Sequence, residues 1–98
     1  MRRPPAAPAW RELPRWLRAL SILALVNFGA FVIGAEYLHG DALNGHVAAG
    51  HYFLSWHGTD TEVSRAVFTY SRDHAISMLC THAAAIIGWL AWRWRVVS

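Results

Sequence analysis

Hydrophobic positions fall into two long runs separated by a mixed, turn-rich stretch. Residues 19–35 are seventeen in a row without a charge, Asn27 being the most polar of them. Residues 74–92 are nineteen without Asp, Glu, Lys or Arg. At about 1.5 Å per residue the two runs make helices of roughly 26–28 Å, close to a hydrocarbon layer of about 30 Å. Both read as transmembrane spans. The first also has the basic flank of a signal peptide, but its apolar run is too long and Ile33 stands where cleavage needs a small residue.

Between the runs the pattern changes period. Gly40 ends the first helix, predicted over 14–38, and residues 39–59 read as loop and β-hairpin. A short strand near 45–48, a turn at Ala49-Gly50 and a strand over 51–57 put Tyr52, Leu54 and Trp56 on one face. His51, Phe53, Ser55 and His57 share the other, and His46 is expected opposite Phe53. "TDTE" then has the form of a capping box, with Thr59 as N-cap and Glu62 reaching back. Val63, Val67, Tyr70, His74, Ser77 and Thr81 follow at helical spacing. The second helix is therefore predicted over 60–94, with an amphipathic outer part projecting above a span at 74–92. A flexible basic tail at 1–13 and a short tail at 95–98 complete the chain. The fold class is a membrane all-α protein: a two-helix transmembrane hairpin carrying a small β-hairpin cap.

Charge orients this hairpin. Residues 1–18 carry five Arg and one Glu, and Arg93 and Arg95 follow the second run. Residues 36–73 carry five acids against two Arg. Arg-rich short flanks remain cytoplasmic, so both termini are expected inside a bacterial cytoplasmic membrane and the middle segment outside. The net charge of +3 is thus a topological signal, and no nucleic-acid partner is expected.

Within lipid, helices associate through small residues and buried polar groups. Ala30-x-x-x-Gly34 and Ala84-x-x-x-Gly88 are small-residue pairs of that kind, with Thr81 on the same stripe of the second helix. Centring both runs in the bilayer sets Asn27 level with position 83, so an Asn27–His82 hydrogen bond is expected to join the helices. The single cysteine, Cys80, reads as a small apolar filler.

Six histidines raise the question of a metal or haem. His51 and His57 lie too far apart on a strand to chelate together. His39 and His74, expected at one interface, are the better pair, with His46 or His51 as further candidates. C-x-x-C-H, H-E-x-x-H and G-x-S-x-G are all lacking, and no phosphate-binding glycine loop occurs. No enzyme activity, cofactor or small-molecule substrate is expected. Haem or a divalent metal on those histidines is the alternative.

"GDALNG", "GHYFL", "HG", "TEVS" and "YSRDH", over residues 40–74, resemble a group of small bacterial inner-membrane proteins of unassigned function. The resemblance implies no ligand or site residue, but it marks the middle segment as the defining part. The expected role is non-catalytic: an accessory, scaffolding or sensing component of a membrane assembly, meeting a protein partner or a second copy through Tyr52, Phe53 and Trp56. A redox or metal-handling protein is the second reading. A small pore former resembling phage holins is the third.

Overall fold

A computed structural model describes residues 7–97 of the chain. A 3₁₀ turn at Trp10–Glu12 leads to helix α1 (Arg15–Leu38), strands β1 (Asp41–Ala48), β2 (His51–Trp56) and β3 (Thr59–Val63), and helix α2 (Arg65–Val97). The fold is mixed helix and sheet, not all-α. Among the described residues, α1 and α2 are long and apolar enough to cross a membrane, and the sheet lies between them in sequence.

Helix α1 starts after Pro14, whose carbonyl accepts from Leu17 and Arg18. The residues before it are not all loose tail, since Glu12 Oε2 accepts from the Ala9 N–H and Leu13 is buried. The remainder of the expected tail, residues 1–6, lies outside the described residues, as does Ser98. At the other end of α1, His39 takes the left-handed conformation (φ 62°). The Gly40 N–H then reaches the Ala35 carbonyl at 2.9 Å and the His39 N–H the Glu36 carbonyl at 3.4 Å. This paired arrangement satisfies carbonyls that a helix end otherwise leaves open. A Cβ on Gly40 would lie 2.9 Å from the Ser55 backbone, so only glycine lets the chain turn there onto β2.

The sheet is an antiparallel meander in the order β1-β2-β3. Its turns are alike: Ala49-Gly50 (φ 51°, 79°) and His57-Gly58 (φ 49°, 81°) both have two residues at positive φ. Such turns match the twist of the strands they join, and glycine at the second position lowers their strain. His46 faces Phe53, as expected. The capping box expected at 59–62 is replaced by β3: Thr59 pairs with Trp56 and Glu62 with Phe53. Thr59 and Glu62 each take a partner on β2, and β3 completes a sheet that two strands alone would hold only marginally. The cap of α2 is Ser64, whose Oγ accepts from the Val67 N–H at 3.1 Å. Helix α2 then continues through the expected tail to Val97.

Between β1 and β2 the register slips from Asp41 to His46, forming a bulge. A Cβ on Gly45 would lie 2.1 Å from the Phe53 carbonyl oxygen, so the bulge closes only around glycine. Asp41 is buried and accepts from the Asn44 N–H and its side-chain amide. The sheet rests on α2 through the Tyr52–Phe68 ring pair (5.4 Å between centroids) and the Ala42 N–H to Ser71 Oγ bond, and Leu54 between its strands is fully buried.

The helices meet along a seam of seven-residue period. Leu17, Ala24 and Phe31 are the buried positions of α1, with Ala35 beside them. On α2 the shielded positions Ser71, Met78, Ala85 and Trp92 keep the same interval. This is the spacing of helices that wind around each other left-handedly.

Candidate functional site

The most polar place along the seam is built around Asn27. Its amide nitrogen donates to Ser77 Oγ at 2.9 Å and to Thr81 Oγ1 at 3.3 Å. Its carbonyl oxygen faces His74 Nε2 at 2.9 Å, and His74 Nδ1 faces the Tyr70 hydroxyl at 3.2 Å. The hydrogens follow from one end of this chain. The Thr81 hydroxyl donates to the Met78 carbonyl, so its oxygen accepts from Asn27. Asn27 therefore turns its amide to α2's hydroxyls and its oxygen to His74. That oxygen can only accept, so Nε2 carries a hydrogen, and in the neutral ring Nδ1 accepts from Tyr70. Every group in the chain finds a partner without a charge being required.

This differs from the expected Asn27–His82 bond. Gly88 lies against Trp16 and Leu17, Asn27 against Ser77, and Phe31 against His74, with ring centroids 5.6 Å apart. Position 27 is thus level with 77 and not with 83, an offset of about 9 Å along the axis. Centring each run separately misses it because the sheet, tied to both helices by very short connections, sets the register. His82 packs on Phe28 (5.4 Å), and its Nδ1 is buried with no hydrogen-bond partner among the described residues. Cys80 is exposed on the surface of α2.

The small residues divide unevenly. Gly88 is a true contact, since an added Cβ would come within 3.0 Å of the Trp16 ring. Thr81 belongs to the polar chain. Ala30 and Ala84 are exposed, and a Cβ on Gly34 would meet nothing within 4 Å. The close approach therefore lies at the end of the seam nearer the chain termini, not along the two expected stripes.

The other histidines are spread out. His39 caps α1, eight positions beyond Phe31, the level of His74, which places the two about 12 Å apart along the axis. They do not share an interface. His46 stacks on Phe53 at 5.0 Å, and His51 tilts against the same ring at 6.4 Å. His51 Nδ1 meets Glu62 Oε1 at 2.5 Å, His46 Nε2 lies 3.9 Å from Asp60, and Ser55 Oγ bonds to Asp60. Among the described residues no three His, Cys, Asp or Glu side chains are placed to hold one metal ion.

Of the expected contact aromatics, Phe53 alone lies on this outward polar face. Tyr52 packs on Phe68, and Trp56 is half-buried over Ala35 and Glu36 while meeting His57 edge-on at 4.6 Å. These two hold the sheet to the helices. Tyr70 and Ser77 were not expected in the site, and the signal that could have found them is their place on one helical stripe with His74 and Thr81. Comparisons with protein-family models, curated proteins and solved structures give no match.

Proposed function

We propose that the chain is a small integral protein of a bacterial cytoplasmic membrane, with both termini inside and the three-stranded sheet outside. It acts without catalysis, as an accessory, scaffolding or sensing component of a membrane assembly. The observation that carries this reading is the apolar surface of the helices. In their most apolar windows only 11% of α1 and 6% of α2 is buried within the chain. Leu25, Val26 and Ile33 on α1 and Ile86, Ile87 and Leu90 on α2 are all more than half exposed. Water does not tolerate so much contiguous apolar surface on a small monomer, whereas lipid covers it without cost. The Arg residues near both helix ends on the terminal side support the orientation.

The outward face of the sheet is the contact surface in this reading. It presents Phe53 between two histidine–carboxylate pairs, an apolar centre with a polar rim. A metal or haem reading gains nothing from His74, since both of its ring nitrogens are already hydrogen-bonded.

Topology labelling tests the proposal. In a cysteine-free background (Cys80→Ala), Thr59→Cys is expected to react with a membrane-impermeant maleimide in intact spheroplasts. Arg95→Cys is expected to react only after lysis. Labelling of both from one side, or recovery of the chain in the soluble fraction, refutes the reading.

A further inference from the structure

We infer that the bulged segment of β1 is a lipid anchor, with Leu43 seated in the outer leaflet, so that the sheet lies against the bilayer surface. This rests on the membrane-hairpin reading proposed above.

Leu43 is 51% exposed on a strand whose other side is bound to α2. It borders a groove of about 180 Å³ together with Phe28, Val32, Trp56 and Met78. Phe28 and Met78 lie about one turn inward of the Phe31–His74 level. The Arg72–Asp73 ion pair (3.5 Å), the outermost charges bordering α2's apolar run, immediately precedes His74. Leu43 therefore reaches past the last charges of α2 into the depth of the apolar run. There its surface is continuous with Leu25, Phe28 and Val32 on α1, all of them exposed to whatever surrounds the helix.

A strand segment with an interrupted ladder is costly beside hydrocarbon unless its polar groups are answered from within. The bulge answers several of these groups from within the chain. The Ala42 N–H bonds to Ser71 Oγ at 2.9 Å, and the Asn44 N–H to Asp41 Oδ1 at 3.1 Å. The Asn44 side-chain amide bonds to both Asp41 oxygens, and the carboxylate itself is only 4% exposed. Residues 42–45 carry no charge. The sheet's own histidine–carboxylate pairs, His51–Glu62 and His46–Asp60, belong to the side chains grouped around Phe53. Side-chain partners for the Ala42 and Asn44 N–H groups are what an outer-leaflet bulge needs and a water-facing one can do without.

The test uses the full chain with Cys80→Ala, reconstituted in phosphatidylcholine–phosphatidylglycerol vesicles. Single cysteines at Leu43, Leu25 and Thr59 carry an environment-sensitive fluorophore. Nitroxide-bearing acyl chains are expected to quench position 43 as they quench position 25, while aqueous iodide quenches only position 59. Iodide quenching of position 43 with lipid quenching of position 25 overturns the anchor and leaves the hairpin standing. Protection of position 43 from both quenchers also overturns it, in favour of burial against a second copy. Failure of lipid to quench position 25 removes the membrane reading itself, and the anchor with it.

Discussion

His74 Nε2 donates to Asn27 Oδ1 at 2.9 Å across the seam between α1 and α2, a bond that closes only at the relative height the sheet's short connections give the two helices. A slip of α2 by one turn would bring Met78 to where His74 now stands and leave the Asn27 carbonyl with no donor. In an apolar layer an orphaned amide has no water to turn to.

Replacing Asn27 by Leu removes its bonds to His74, Ser77 and Thr81 together. Interhelical hydrogen bonds in membranes average about 0.6 kcal/mol each, so Asn27→Leu is expected to destabilise the hairpin by about 1–2 kcal/mol. Unfolding in mixed micelles with increasing dodecyl sulfate, followed by distance-dependent fluorescence between the helices, measures it. His82→Phe is expected to change little in the same assay, because His82 makes no bond to Asn27. Equal loss from the two variants would contradict this network.

Gly88 admits no larger residue without displacing the Trp16 ring. Gly88→Leu is expected to cost about 1–3 kcal/mol by overpacking and to spread the helices at the end nearer the chain termini. Ala84→Leu and Ala30→Leu, at exposed positions, are expected to leave the separation unchanged. Pulsed electron–electron distance measurement between labels near Trp10 and Trp94 distinguishes the two cases.

Gly45 and Gly50 separate crowding from backbone conformation. At Gly45 an added methyl collides with the Phe53 carbonyl, whereas at Gly50 it meets open space but at φ 79°. Gly45→Ala is expected to cost at least about 3 kcal/mol and to expose the sheet's amides to exchange. Gly50→Ala should cost only about 1–2 kcal/mol, the penalty of the left-handed conformation. Hydrogen exchange of β2 amides reports both, and similar protection in the two variants would show the bulge to be less tightly closed than described.

Much of this fold can be read from the chain. The two apolar runs announce α1 and α2, and Ala49-Gly50 announces the first hairpin turn with His46 opposite Phe53. The second turn, His57-Gly58, carries the same signal, but the Thr-x-x-Glu that follows has two physical meanings. Thr and Glu three apart satisfy a helix start, and Thr59, Thr61 and Val63 in alternation also suit a strand. Pairing with β2, a tertiary event, decides between them, and Ser64 then supplies the cap. The polar site was half legible. Asn27 stands out as the one amide in its run, but its partner depends on the relative height of two helices. Hydropathy centres each run by itself and carries no information about the connections that set that height.

Those connections are short. His39 and Gly40 alone separate α1 from β1, and Ser64 alone separates β3 from α2. Each of the three is bound into a helix end, and Gly40 is wedged against the Ser55 backbone. The molecule therefore has no hinge at its neck. A push or pull on the sheet is delivered as torque to both helices at once, and a change in helix tilt turns the sheet with it, as a handle turns with its shaft.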